Sequence, residues 1–173
     1  MERGAILLSV IWLGMHVGFA LANENIVARI GEAGEFIELE GQSHGQAFKS
    51  YLPLHRGEGI RYFSAGVGLE ERAAEYPTFP LKLVFTAGGK PFLTGVAVMI
   101  RPVGGGEAIH IPPEQVDGPW LFVDLPPGTY DISANYGDRR QGLNGIKVES
   151  GGQRVVHLRW AEDLGLGGKL PAE

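Results

Sequence analysis

The sequence predicts an all-β fold whose main part is a seven-stranded β-sandwich, preceded by an N-terminal extension with one short helix. Seven short apolar runs lie between residues 81 and 160, which is the strand density of a β-sandwich. Glycine and proline, 27 and 11 of 173 residues, stand between these runs and mark turns. The clearest strand–turn–strand pattern is residues 117–136, where Leu125-Pro126-Pro127-Gly128 excludes a helix because proline lacks a backbone N–H.

The first 22 residues have the organisation of a signal peptide. A short basic segment precedes an apolar run over residues 5–20, which is followed by the small-x-small pattern Ala20-Leu21-Ala22 that a signal peptidase recognises. The run is shorter than the roughly 20 residues that a membrane-spanning helix needs. We therefore expect residues 1–22 to be cleaved, leaving an exported protein with no membrane span. A retained membrane anchor is the alternative.

The amino-acid composition restricts the cellular compartment and the classes of binding partner that we expect. The chain has no cysteine, which excludes disulfides and thiolate sites and makes export to a bacterial periplasm the favoured location. Its formal net charge of −5 disfavours nucleic acid, which is bound by basic surfaces. We expect a periplasmic protein with a protein or cell-envelope glycan partner and no nucleic acid.

Residues 23–80 are expected to form the extension. Residues 35–40 alternate weakly and predict a strand, whereas residues 41–59 have no clean period and are expected to be irregular. Residues 69–76 predict one short helix with acidic residues in its first turn and Pro77 at its end. Three apolar positions of this helix fall on one face and are expected to dock against a sheet: Leu69, Ala73 and Tyr76.

Residues 81–161 are expected to form the sandwich, and residues 162–173 a C-terminal tail. The predicted strands are 81–86, 96–102, 108–111, 120–125, 129–136, 141–148 and 154–160. Period-two alternation then assigns faces. The side chains expected to face the core are Tyr130, Ile132, Ala134, Tyr136, Val156, Leu158 and Trp160. Those expected to face water on the same strands are Thr129, Asp131, Ser133, Asn135, Val155, His157 and Arg159.

Several segments of this region together resemble a known family. They are Val96-Ala97-Val98-Met99-Ile100, Asp117-Gly118-Pro119-Trp120, Leu125-Pro126-Pro127-Gly128-Thr129-Tyr130, Ile146-Lys147-Val148 and Val155-Val156-His157-Leu158. Residues 81–160 are similar in this respect to carboxypeptidase regulatory-like domains. Residues 59–68 also resemble a stretch found in small exported proteobacterial proteins that carry such a domain.

The resemblance implies a transthyretin-like, prealbumin-type Greek-key sandwich of seven strands. Domains of this family serve as accessory or interaction modules and have no catalytic residues. The resemblance therefore implies a non-enzymatic module without a cofactor.

The residues proposed for ligand binding are Trp120 and Phe122. On their strand they face opposite to Leu121 and Val123, so the two pairs cannot lie in one core layer. Either Trp120 and Phe122 are exposed, or both faces of the strand are covered, for example by the helix at residues 69–76. The exposed arrangement would provide a stacking surface for cell-envelope carbohydrate, since aromatic rings present large flat faces.

One serine pattern is considered as an alternative. Gly41-Gln42-Ser43-His44-Gly45 matches the Gly-x-Ser-x-Gly nucleophile elbow and follows a predicted strand. An elbow belongs to a parallel α/β sheet, and the seven predicted strands are not separated by helices that would build one. A small serine hydrolase acting through Ser43 is thus the enzymatic alternative, and a glycine-rich loop is the favoured interpretation.

Metal binding is not favoured by the pattern of ligands. His110 and His157 lie on outward positions of predicted strands, but no two histidines have the spacing of a zinc motif. Acidic residues near turns do not form the run of oxygen ligands that calcium needs. We expect no metal and no cofactor.

Overall fold

The computed structural model describes residues 25–88 and 93–161, and the predicted signal peptide and C-terminal tail lie outside the described residues. The predicted all-β class is confirmed. The strands are β1 (Ile26–Ile30), β2 (Phe36–Ser43), β3 (Gln46–Pro53), β4 (His55–Gly57), β5 (Ile60–Ala65), β6 (Leu81–Ala87), β7 (Ala97–Pro102), β8 (Ile109–Ile111), β9 (Trp120–Val123), β10 (Gly128–Tyr136), β11 (Arg139–Val148) and β12 (Arg154–Trp160). A single α-helix in the described part is α1 (Leu69–Ala73), and a short 3-10 helix spans Pro113–Gln115.

The strands form three sheets stacked as three layers. Sheet A has the order β1-β2-β3, sheet B the order β12-β6-β9-β5-β4, and sheet C the order β11-β10-β7-β8. Neighbouring strands are antiparallel except for β12 and β6, which are parallel. Sheet B is the middle layer because its strands contribute to two separate apolar cores, one shared with sheet C and one with sheet A.

The larger core lies between sheets B and C. Strands β6, β9 and β12 contribute alternate apolar side chains from sheet B, and β7, β8 and β10 contribute them from sheet C. The predicted inward positions of β10 and β12 are confirmed as members or close neighbours of this core. Trp160 is fully buried beside Phe85 and Tyr136, and its indole N–H donates to the Arg139 carbonyl oxygen at 3.1 Å.

The smaller core lies between sheets A and B and is rich in aromatic rings. Phe63 of β5 and Phe122 of β9 are stacked with centroids 4.6 Å apart and planes 3° apart. Phe79 meets Phe63 edge-on at 5.0 Å, and Tyr76 packs on both stacked rings. Such aromatic pairs contribute roughly 0.5–1.5 kcal/mol each beyond their buried area, so this cluster attaches sheet A firmly to the middle layer.

Each of the seven predicted runs forms a strand, and so does the run predicted at residues 35–40, but the described residues contain twelve strands in all. Residues 41–59, expected to be irregular, contain the end of β2, all of β3 and all of β4. The break between β2 and β3 is a two-residue hairpin loop, His44-Gly45, with φ of 51° and 76°. Positive φ at both positions is typical of a type I′ turn, whose first residue is usually Asn, Asp or Gly. Because histidine occupies that position here, the sequence lacks the usual signal of a hairpin.

The helix prediction is wrong in length and in packing. α1 ends at Ala73, and Ala74 is already extended. No residue of α1 is buried, and Leu69 is 64% exposed. The layer that covers sheet B is therefore sheet A and not this helix, and of the three predicted docking residues Tyr76 alone packs on a core.

The predicted turn after β9 is present and is held by a tyrosine. The Tyr130 hydroxyl donates to the Pro126 carbonyl oxygen at 2.8 Å, four residues back in the chain. The bond resembles the tyrosine corner of β-sandwich domains, in which a buried tyrosine fixes the chain between two sheets. It sets the point at which the chain leaves sheet B and enters sheet C.

A close backbone contact joins β5 to the segment before β9. The Ser64 hydroxyl accepts the Gly118 N–H at 2.7 Å and donates towards the carbonyl oxygens of Gly118 and Trp120 at 3.0 and 3.2 Å. A Cβ atom on Gly118 would lie 2.3 Å from the Ala65 carbonyl oxygen. The middle sheet therefore requires glycine at this position.

We expect Gly118→Ala to destabilise the protein by more than about 2 kcal/mol, because the clashing atoms belong to the backbone and cannot rotate away. Chemical denaturation followed by tryptophan fluorescence measures the loss. Gly104→Ala is the matched control, since nothing lies within 4 Å of its Cβ position. Equal stability of the two variants would contradict this account of the junction.

Candidate functional site

The structure covers both faces of the strand that carries Trp120 and Phe122. Leu121 and Val123 belong to the larger core, whereas Phe122 is 2% exposed in the smaller core. Of the two arrangements that the sequence leaves open, the covered one is present, with sheet A as the cover. The Phe122 ring is consequently not available to stack on a sugar.

Trp120 remains partly exposed, but its ring is occupied by protein groups. The Lys82 ammonium lies 3.6 Å from the ring centroid, and a Cβ on Gly66 would come within 2.9 Å of the indole. Burial lowers the pKa of Lys82 from its usual value, and the cation–π contact offsets part of that cost. Trp120 thus has a packing partner where a stacking ligand would need a free ring face.

Ser43 lies at the end of β2 and contacts two polar groups. Its Oγ is 3.0 Å from His44 Nδ1 and 3.0 Å from Glu70 Oε1. In a serine–histidine–acid site the acid holds the far nitrogen of the imidazole, whereas here Glu70 contacts the serine oxygen itself. Ser43 also precedes an antiparallel hairpin and not the strand-to-helix turn of a nucleophile elbow. The contact ties the hairpin to α1.

The two histidines considered for metal binding are far apart in the architecture. His110 is exposed on β8 of sheet C, and its backbone N–H donates to Glu58 Oε2 at 2.9 Å. His157 is exposed on β12 of sheet B, on the side away from the core shared with sheet C. They lie on different layers and do not meet. Within residues 25–88 and 93–161 no three His, Asp or Glu side chains form a metal-binding group.

A depression with polar and apolar lining residues lies on the outer face of sheet C. A single row of four residues crosses this face, with one residue from each strand. The row is His110, Met99, Ser133 and Gly142. Because Gly142 has no side chain, this row leaves a depression at β11 between the longer side chains of the two neighbouring rows. We call the resulting depression the Ser133 groove.

Its walls come from the two neighbouring rows. One row carries Ala97, Asn135 and Arg140, and the other carries Arg101 and Asp131, with Asn144 beyond the bulge in β11. The groove has two connected parts, of about 600 Å³ towards β8 and about 190 Å³ towards β11. Met99, Ser133 and Arg140 line both parts. The depression is therefore continuous across the sheet.

Ser133 is the unusual residue of this groove. It is 7% exposed, and its Oγ has no hydrogen-bond partner among the described residues. Its neighbours Ile132 and Ala134 face the core, so the Ser133 side chain points the other way, into the groove. Leaving a buried hydroxyl without a partner costs about 1–3 kcal/mol. A group that entered the groove and bonded to this hydroxyl would recover that energy.

Sequence reasoning assigned Asp131, Ser133 and Asn135 to the outward face, and the structure agrees for their direction. It did not identify the groove, because the alignment of Ser133 with Met99 and Gly142 depends on the register between distant strands. The signal that the sequence offered was the small size of Ser133 and Gly142, which stand among longer residues at outward positions of β10 and β11.

Comparison with known proteins adds no assignment, since no family model, no curated protein and no solved structure matches the chain. The resemblance to carboxypeptidase regulatory-like domains stays a prediction. In the described residues, no helix has the length and apolar character to cross a membrane.

We expect Ser43→Ala to raise the pKa of Glu70. The backbone N–H of Glu70 and the Ser43 hydroxyl both hold the pKa of this carboxyl below its usual range, and the substitution removes the second donor. Titration of the Glu70 carboxyl by NMR measures the change, and Ser50→Ala in β3 is the control.

We also expect no Ser43-dependent hydrolysis of a short-chain nitrophenyl ester. Activity that disappears in Ser43→Ala would support the serine hydrolase instead.

Proposed function

We propose that this protein is a non-enzymatic, exported binding module whose ligand or partner group occupies the Ser133 groove. The observation that carries the proposal is the buried, unpartnered hydroxyl of Ser133 at the floor of a continuous depression. Binding sites combine an apolar surface with a few well-placed polar groups, and this groove has both. It sits on paired strands, which hold such groups rigidly.

The finer assignment of the fold belongs to the same proposal. Strands β6 to β12 alternate between two facing sheets, with the hairpins β7–β8 and β10–β11 side by side in sheet C and β6, β9 and β12 in sheet B. Chain crossings of this kind are typical of Greek-key sandwiches. They support the carboxypeptidase regulatory-like assignment, and with it a role as an accessory module in the periplasm.

The absence of catalysis is also proposed. The Ser43 hydroxyl donates to the Glu70 carboxylate, whereas in an activated serine it donates to the histidine base. We therefore favour binding over hydrolysis.

The groove can be closed by one substitution. A Cβ on Gly142 would meet nothing closer than the Ile132 carbonyl oxygen at 3.7 Å, and its φ is not positive, so a side chain is tolerated there. We expect Gly142→Leu to lie over Ser133 and to abolish binding on an array of neutral and acidic envelope glycans and peptides. Gly104→Leu, in open space outside the groove, is the control and keeps binding. Equal binding by both variants would exclude the groove.

Ser133→Ala separates the function of the hydroxyl from stability. We expect this variant to be as stable as the wild type or more stable by about 1 kcal/mol, because it removes an unpartnered buried oxygen. Binding in the groove should weaken at the same time. Thermal unfolding and the same array measure the two effects, and a loss of stability would contradict the assignment of a free hydroxyl.

A second surface favours the carbohydrate alternative. Phe36 and Tyr51, 45% and 51% exposed, meet edge to face on the outer side of sheet A with ring centroids 6.3 Å apart. Lys49 lies 5.4 Å from the Tyr51 ring centroid. Exposed aromatic rings beside charged groups can stack on a sugar ring and bond its hydroxyls. These residues replace Trp120 and Phe122 as candidates for glycan stacking.

If sheet A binds glycan, Tyr51→Ala should lower binding to neutral oligosaccharides about fivefold or more, since stacking on one aromatic ring contributes about 1 kcal/mol or more. Leu69→Ala, another exposed apolar side chain, is the control. Binding that depends on Gly142 and not on Tyr51 would assign the ligand to sheet C.

A further inference from the structure

The two parts of the Ser133 groove differ in chemistry. The part towards β8 has a mainly apolar surface, to which the side chains of Ala97, Met99 and Pro112 contribute, with His110 and Asn135 at its sides. The part towards β11 is lined by charged and polar groups: Arg101, Asp131, Arg140 and Asn144. A ligand that fills both parts must therefore have an apolar body and a polar head.

The charges indicate the sign of the head group. Arg101 and Arg140 are exposed, and neither forms an ion pair within the described part of the chain. Asp131 lies opposite Arg101 in the β7–β10 register, and its Oδ1 accepts the Gly145 N–H at 2.9 Å. Arg140 lies opposite Asn135, which carries no charge. Arg140 thus has no carboxylate opposite it in the β10–β11 register.

The groove carries two arginines and one aspartate on a chain whose formal net charge is −5. A guanidinium presents parallel N–H donors that match a carboxylate or a phosphate. The Ser133 hydroxyl, at the floor beside Arg140, adds a donor of its own. Both residues line both parts of the groove, so the two donors lie where its apolar and polar parts adjoin.

We propose that the Ser133 groove binds an amphiphilic anion, with the anionic head on Arg140 and Ser133 and a compact apolar body over Met99, Ala97 and Pro112. This inference rests on the proposed function, because it assigns a ligand class to the same groove. The anionic head is a carboxylate or a phosphate ester, and the apolar body is an alkyl chain or a similar group. A neutral sugar or a cation does not meet these requirements.

The test uses the full chain and simple probes followed by amide NMR. Octanoate and octyl phosphate, kept below their micelle concentrations, supply the two anionic heads on one body. Octanol and octylamine replace the anion with a neutral or cationic head, and acetate and phosphate lack the body. We expect saturable shifts at Ser133 and Gly142 with octanoate or octyl phosphate, and at least about tenfold weaker binding of the other four probes.

Arg140→Gln should weaken binding of the anionic probes about tenfold, in line with the loss of one charged hydrogen bond. Arg159→Gln, an exposed arginine on β12 of sheet B, is the matched control and leaves binding unchanged. Arg140→Lys keeps the charge and should recover part of the affinity. Unchanged melting temperatures of these surface variants show that the fold is intact.

Octylamine or octanol binding as tightly as octanoate would overturn the inference, as would an Arg140→Gln variant with unchanged affinity. Other results distinguish a wrong ligand class from a wrong proposed function. If glycan or peptide binding depends on Gly142 while no amphiphilic anion binds, the groove is a site and this ligand class is wrong. If Gly142→Leu changes no binding at all, both proposals are wrong.

Discussion

The burial of sheet B on both faces is the constraint on which the rest of the structure depends. β5 and β9 alternate apolar side chains towards sheet C with aromatic side chains towards sheet A, so neither strand has a side that tolerates water. The stacked pair of Phe63 and Phe122 is the contact that makes a third layer necessary. Without sheet A, these rings would be an exposed apolar patch on an otherwise two-layered sandwich.

With the middle layer closed on both sides, recognition is left to the outer faces of sheets C and A. Sheet C presents a depression with a buried hydroxyl and two arginines, and sheet A presents two exposed aromatic rings. The hydroxyl of Ser133 is buried without a partner, and such a group is expected to lower stability relative to alanine. A residue that lowers stability and faces outward is more readily understood as part of a binding surface than as part of a scaffold.

Much of the sandwich was predictable because its strands obey a local rule. Period-two alternation places Tyr130, Ile132, Val156 and Leu158 inside, and all four are buried. The same rule was insufficient for residues 41–59, because β3 has Ser50 at a half-buried position and Tyr51 at an exposed one and begins after an unusual His44-Gly45 turn. It also left Trp120 and Phe122 with two possible environments, since the element that covers a strand is not encoded in the strand itself. The groove could not be predicted from the sequence either, because Ser133 and Met99 are brought together by the register between β10 and β7, which no single strand encodes.

The parallel pairing of β12 with β6 has a consequence for the order of assembly. β12, the last strand of sheet B along the chain, lies beside β6, with Leu81 opposite Arg154 and Ala87 opposite Trp160. Contacts between such distant parts of the chain are costly in loop-closure entropy and slow the folding of β-rich domains. Until β12 docks, β6 lacks its neighbour at this edge of sheet B and the indole of Trp160 is outside the core. We therefore expect the seam between β6 and β12 to be among the last parts of the sandwich to close.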